Sequence, residues 1–148
     1  MTIYRTYMKT IPKEFREVSG SFCNKPIGGL WGCRNDEWKE WCETEDYRTE
    51  NLKTCFKWKL KSNSKVYRIK TKKDFMNLLQ KYALKISDFI VTIDYKKVAE
   101  EYDAVEVEDG IIQELKMCPS NNIAELIGLS VWDVPSIVVL NLNKVIRL

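Results

Sequence analysis

The sequence predicts one α+β domain spanning residues 1–148, and three observations carry that prediction. The chain has 148 residues, of which 45% are apolar and 30% charged, enough to fill one core and keep it hydrated but too few for two domains. Short runs rich in β-branched and aromatic residues outnumber helical patterns. No repeat, low-complexity tract or Pro/Ser-rich linker interrupts the chain.

The elements follow in order. Thr2 to Tyr7 is β-rich and predicts a first strand. Ile27 to Cys33 predicts a strand or strand edge in which Gly28 and Gly29 permit close backbone approach. Asn35 is placed to cap a helix over Asp36 to Leu52, with acids in its first turns and Trp38, Trp41 and Cys42 on one side as core anchors. Lys53 to Leu60 and Lys65 to Lys70 predict a hairpin across the polar turn Lys61 to Ser64. Thr71 to Asp74 matches a capping box with Asp in place of Glu, and Phe75, Leu78, Leu79 and Tyr82 then form a helical apolar stripe. Phe89 to Ile93 is strand-like, Asp94 can cap a short helix reaching Tyr102, and Ala104 to Val107 is another strand. Between Ile111 and Leu129, Pro119 and Asn121 to Asn122 suggest a loop before a short helix. Ser136 to Leu140 has the composition of a buried strand, and Lys144 to Leu148 closes the chain with a short one, for about three helices in all.

Composition narrows the chemistry. Histidine is absent, which removes Ser/His and Cys/His nucleophile pairs and imidazole acid/base work. The five cysteines are irregularly spaced without a CxxC, so they read as reduced, small core residues, and no metal site is expected. No apolar run approaches the roughly 18 residues of a membrane span, and MTIYRTYMKT lacks a secretory pattern, so a cytoplasmic protein without membrane contact is expected.

The net charge of +3 is unevenly spread. Lys53 to Lys73 carries nine basic residues and no acid, whereas Glu100 to Asp109 carries six acids and no base, which suggests separate charged faces. With Phe56, Trp58 and Tyr67 interleaved, the basic stretch could track a nucleic-acid backbone. The same alternation describes any strand with one wet face, and that reading is preferred.

Three local groups could carry chemistry. Lys25-Pro26-Ile27-Gly28-Gly29-Leu30-Trp31 sets a flat ring beside glycine backbone, which suits a part-aromatic, part-phosphate ligand and equally suits a Gly-Gly bend before a core Trp. Glu106 and Glu108 share a strand face and could serve as acid and base or hold a divalent cation, but a solvated strand edge is the preferred reading. Asp133 precedes the buried terminal strand, where a rigid sheet can aim it, or it forms a turn beside Pro135. On the first strand, Arg5 can clamp a phosphate or face water.

Taken in order, the Tyr4-Arg5 strand, Lys25 to Trp31, Trp38-Lys39-Glu40-Trp41-Cys42, Ile93-Asp94-Tyr95, Glu101 to Val105 and Trp132 to Asn141 resemble small bacterial and phage proteins with a KPxGGLW motif. Through them the chain resembles the ADP-ribosyltransferase-like superfamily. That resemblance implies a split β core, two packed sheets around a cleft for NAD as cosubstrate. It implies that Tyr4 or Arg5 meets the adenosine ribose or phosphate, and that the Trp31-Gly32-Cys33 strand packs on nicotinamide, with Cys33 where Ser is usual. A late-strand Glu is expected between Asp133 and Ser136 to bond the nicotinamide ribose. Pro135 falls at or near that acid, so either Asp133 or Glu106 supplies the carboxylate or the cleft has lost its catalysis; one such preorganised group is worth on the order of 3 kcal/mol. The implied activity is ADP-ribosyl transfer to a macromolecular, most simply protein, target. The alternative is a non-catalytic phage or mobile-element protein that binds and inhibits a host defence complex.

Overall fold

A computed structural model describes residues 1–88, 90–116, 128–129 and 132–148, and it is a mixed α+β structure. One sheet has the order β1 (Tyr4–Met8), β5 (Thr54–Leu60), β11 (Val145–Arg147), all antiparallel. A second has the order β4 (Leu30–Gly32), β10 (Ser136–Val139), β9 (Ala104–Val107), β6 (Val66–Ile69), with β6 parallel to β9 and the other pairs antiparallel. Two small ribbons pair β2 (Gly20–Phe22) with β3 (Lys25–Ile27) and β7 (Ala83–Lys85) with β8 (Val91–Ile93). The main sheets touch at an isolated antiparallel bridge between Arg5 and Cys33, whose amides exchange hydrogen bonds of 2.8 and 3.0 Å.

Strand alternation builds two cores from the one long sheet. Ile137 and Val139 of β10 face Tyr4, Leu30, Phe56 and Trp58, which fill the space between the sheets. Val138 and Leu140 face the other way, into the apolar stripes of α2 (Lys72–Lys81), α3 (Tyr95–Glu101) and α4 (Ile111–Lys116). In α2 the capping box forms as expected, with Thr71 accepting from the Asp74 amide and Asp74 accepting from the Thr71 amide, and Phe75, Leu78, Leu79 and Tyr82 are buried. Asp94 caps α3 through the Lys97 amide.

Several expectations are corrected. β5 and β6 do not form a hairpin, because β5 joins β1 and β11 while β6 joins β9. Phe56 and Trp58 must face inward between the sheets, so the chain crosses from one sheet to the other after Leu60. The expected strand from Ile27 to Cys33 breaks at Gly28 and Gly29, both at positive φ, into β3 and β4. The long helix over Asp36 to Leu52 shortens to α1 (Glu37–Glu45), because Asp46 and Arg48 take left-handed backbone and a 3-10 turn follows over Thr49–Lys53. Asn35 is not its cap; Asp36 holds that position, while Asn35 donates to the Glu37 carboxylate. There are four α-helices rather than about three among the described residues, and β7 has no counterpart among the expected strands. The expected loop and helix around Pro119 and Asn121 lie outside the described residues, as does Cys118.

The charged stretches pair with each other instead of occupying separate faces. Arg68 lies opposite Glu106 in the β6–β9 register, with their charged atoms 3.7 Å apart, and Lys70 lies 3.8 Å from Glu108. Phe56 and Trp58 are buried, so neither ring is open to a nucleobase, and Lys57 and Cys55 form the wet face of β5. Among the described residues, no helix is long and apolar enough to cross a membrane.

Candidate functional site

Two cavities flank the strand junction, and Ser136 is the one residue lining both. The first, about 480 Å³, is acidic and is lined by Tyr4, Arg34, Glu37, Glu106, Glu108 and Asp109 among others. The second, about 330 Å³, is aromatic and cationic; Arg5 and Tyr7 of β1, Lys25, Trp31, Cys33, Trp38, Tyr47, Arg48, Trp132, Asp133 and Ser136 line it.

Glu106 sits on β9, an interior strand between β10 and β6, and is 3% exposed. A buried carboxylate needs partners, and it has them. The Tyr4 hydroxyl donates to Oε2 at 2.6 Å, the Arg34 Nε donates to Oε1 at 2.6 Å, and the Arg34 Nη2 closes a second contact with the same oxygen. Burial and the Glu106 acceptor together hold the Tyr4 phenol far above its ordinary range. The solvated-edge reading of Glu106 is therefore corrected, and Tyr4 is a core residue stacked on Trp58 at 4.9 Å.

The second cavity gathers residues far apart in the chain. Alternation turns Arg5 away from Tyr4 and into this cavity. Its Nη1 lies 3.0 Å from Asp36 Oδ1, and the Tyr7 hydroxyl donates to the same oxygen. Those bonds, Tyr7 first and Arg5 next, hold the Asp36 carboxyl below the usual carboxylate range. Asp36 stands at the N-cap position of α1 but makes no capping bond with its side chain, which is committed to β1 and fixes the guanidinium at the cavity wall.

Trp31 presents its ring to the cavity and is held from three sides. Its Nε1 donates to the Gly28 carbonyl at 3.2 Å, Trp132 meets it at 4.8 Å between centroids with a 60° tilt, and Lys25 Nζ lies 4.9 Å from its centroid. Burial lowers the Lys25 pKa, partly offset by the nearby Asp133 charge. Asp133 is exposed to solvent at the cavity. The Ser136 hydroxyl donates to the Val134 carbonyl at 3.0 Å. Cys33 is buried, and burial, then the Glu37 charge, push its thiol up to about 12, so it stays protonated at neutral pH.

Of the residues singled out in the sequence, Arg5, Trp31, Cys33, Asp133 and Ser136 meet at one cavity. Tyr4 and Glu106 belong to the other. Gly28 and Gly29 line neither, because the loop at Arg16 to Val18 lies over them and the Gly29 amide donates to the Arg16 carbonyl at 2.8 Å. A Cβ on Gly28 would stand 2.2 Å from the Glu17 carbonyl oxygen, so the glycine pair serves packing and not an amide cradle.

The sequence reading missed Trp38, Tyr47, Arg48 and Asp36 as cavity or positioning residues, whereas Lys25 belongs to the motif it singled out. Trp38 and Trp41 are half-buried and stacked on each other at 5.2 Å rather than anchored in the core. It also missed Asn24, 1% exposed, which donates from Nδ2 to the Gly128 carbonyl at 3.0 Å and accepts from the Ile93 amide at 3.1 Å. Its carbonyl accepts from Tyr95 at 2.9 Å and Trp132 at 3.1 Å, so it ties the start of β3 to the Trp132 corner. An Asn directly before the motif is the sequence signal available there, since Asn tolerates the left-handed backbone that it adopts in the structure.

Among the described residues, no group of three or more acidic or thiol side chains is placed to hold a metal ion. No family model matches the chain, and neither a curated protein nor a solved structure does.

Proposed function

We propose that the chain is an ADP-ribosyltransferase-like protein that takes NAD in the aromatic cavity and passes ADP-ribose to a macromolecular target. One observation carries this reading: Arg5, Trp31, Cys33, Asp133 and Ser136, drawn from three adjacent strands β1, β4 and β10 or their ends, line a single hollow of about 330 Å³. Two sheets joined at the Arg5–Cys33 bridge are compatible with the split core that the resemblance implies.

The donor set suits the cosubstrate. The half-buried Trp31 ring, backed by the buried Trp132, can take a flat ring, Arg5, oriented by Asp36, offers a guanidinium edge to a phosphate, and Asp133 offers a carboxylate. The bound NAD contributes a glycosidic bond already weakened by its cationic leaving group. As that carbon–nitrogen bond breaks, nicotinamide leaves with the electron pair. A nucleophile of the target takes the sugar carbon and gives up its proton to solvent. Asp133 at the cavity is the carboxylate that would stabilise the developing positive charge, to the extent that bound ligand excludes water from it. No imidazole or metal is needed for this step.

A second reading rests on Asp133 itself. It is the one carboxylate lining the cavity among the described residues, it is exposed, and Lys25 draws on its charge. Such a site can bind without turning over, as a non-catalytic protein that engages a partner would.

One experiment separates the two. Thermal melting is measured with millimolar NAD, and transfer from radiolabelled NAD into lysate protein is followed for wild type, Arg5→Ala, Asp133→Ala and Glu106→Gln. The enzyme reading expects a rise in melting temperature lost in Arg5→Ala, and incorporation lost in Asp133→Ala but kept in Glu106→Gln. A rise without incorporation supports the second reading. No NAD-induced rise overturns the assignment of the cavity.

A further inference from the structure

The cavity lining divides by origin. The strand-borne side chains carry the reading above, whereas Trp38, Tyr47 and Arg48 come from α1 and the turn after it, which that reading leaves unused. We propose that this second wall is a purine-nucleotide subsite, where Trp38 and Tyr47 hold the base and Arg48 its phosphate. It rests on the NAD reading for its place in the dinucleotide, but its own chemistry is tested without nicotinamide.

Three observations support it. Trp38, which lines the cavity, is backed by Trp41, which does not, in a near-parallel stack at 5.2 Å and 14°. Tyr47 meets both indoles edge-on at 6.2 and 5.5 Å, so the three rings brace each other rather than filling the core. Rings held this way lose little rotamer freedom when a base stacks on them, which is what makes a stacking platform effective.

Arg48 supplies the charge. Its guanidinium carbon lies 5.1 Å from the Tyr47 ring centroid, and among the described residues no carboxylate pairs with it. Arg5, by contrast, is held by Asp36. A guanidinium stacked on an aromatic face keeps its outer edge available to accept a phosphate. Asp46 and Arg48 both hold left-handed backbone, at φ 50° and 45°, and this unusual double turn brings Tyr47 and Arg48 back to the mouth of the cavity instead of prolonging α1.

The test is a titration of the full chain with AMP, ADP-ribose, nicotinamide mononucleotide and NAD, followed by calorimetry and tryptophan fluorescence. Wild type is compared with Tyr47→Ala and Arg48→Asn; asparagine tolerates the left-handed backbone, so it removes the guanidinium and spares the turn. Far-UV circular dichroism checks that both fold. AMP, ADP-ribose and NAD are each expected to bind about tenfold more weakly to either variant, a change of about 1.4 kcal/mol. Binding of nicotinamide mononucleotide should change less than twofold. Equal loss for all four ligands, or AMP binding untouched by both substitutions, overturns the subsite. If AMP binds through Tyr47 and Arg48 while NAD and nicotinamide mononucleotide fail to bind, the subsite stands and the NAD reading falls. If NAD binds but AMP does not, the subsite falls alone. If no ligand binds, both fall.

Discussion

Replacing Glu106 should damage the fold far more than any chemistry in the aromatic cavity, and the structure sets the size of the effect. Removing one partner of a buried ion pair costs about 3–5 kcal/mol when the remaining charge stays buried. Here the remaining charges do not. The Arg34 and Arg68 side chains are 45% and 38% exposed and can turn back to water, so their loss of a partner is partly refunded by hydration. What cannot escape is the Tyr4 hydroxyl on a residue 3% exposed, an orphaned donor worth about 1–3 kcal/mol. We therefore expect Glu106→Ala to destabilise by about 3 kcal/mol. Glu106→Gln, which keeps the volume and one acceptor, should cost about 1–2 kcal/mol. Tyr4→Phe should cost about 1 kcal/mol alone but recover about 1–3 kcal/mol in the Glu106→Ala background, since it removes the donor left without a partner there. Urea unfolding of wild type, the three single variants and the double variant, with an unchanged slope as the control for two-state behaviour, measures these differences. If Glu106→Ala unfolds at the wild-type midpoint while NAD-dependent labelling disappears, Glu106 is a site residue and the structural assignment is wrong.

Other predictions follow from the same geometry. Gly29→Ala would set a Cβ 2.7 Å from the Val139 carbonyl oxygen at φ +79°, and should cost about 4 kcal/mol or more, whereas Gly110→Ala, at φ +86° with nothing within 4 Å, should cost only the left-handed penalty of about 1–2 kcal/mol; equal melting temperatures would refute the packing account. In iodoacetamide labelling mapped by mass spectrometry, exposed Cys55 should react first and Cys33, buried with its thiol pushed up to about 12, only after unfolding; early Cys33 labelling would contradict its burial. Asp36, held below the ordinary carboxylate range by Tyr7 and Arg5, contributes stability that is present above its unfolded value of about 3.9 and is lost as pH falls through the depressed folded value. The stability gap between wild type and Asp36→Asn should accordingly be constant from pH 5 to 7 and shrink below about pH 4; a gap that does not change with acid would remove the linkage.

Local signals were legible where one segment determines its own state. The Thr71 to Asp74 box, the stripe through Tyr82, the Asp94 cap and the Ala104 to Val107 strand depend on neighbours within a few residues, and each forms as the sequence predicts. Partner choice was not legible. β5 and β6 carry patterns that fit a hairpin equally well, and only the need of Phe56 and Trp58 for a facing layer, supplied by Ile137 and Val139, sends them to different sheets. The same limit hid the pairing of Arg68 with Glu106, because a parallel register between segments about forty residues apart leaves no local trace.

The site follows this division between local and tertiary information. Motif order named Tyr4, Arg5, Gly28, Gly29, Trp31, Cys33, Asp133 and Ser136; Arg5, Trp31, Cys33, Asp133 and Ser136 meet at one hollow, whereas Tyr4, the two glycines and Glu106 are held by packing and pairing. Alternation separates Tyr4 from Arg5: Tyr4 turns into the core between the sheets and stacks on Trp58, while Arg5 points the other way, to the second cavity. The turn at Asp46 to Arg48 lies beyond such reasoning, since nothing in Asp-Tyr-Arg requires two left-handed residues. In that turn Tyr47 packs edge-on against Trp38 and Trp41 of α1, and Arg48 beside it lines the cavity. A locally costly turn whose outcome is a charged, aromatic wall is therefore where binding is to be sought first.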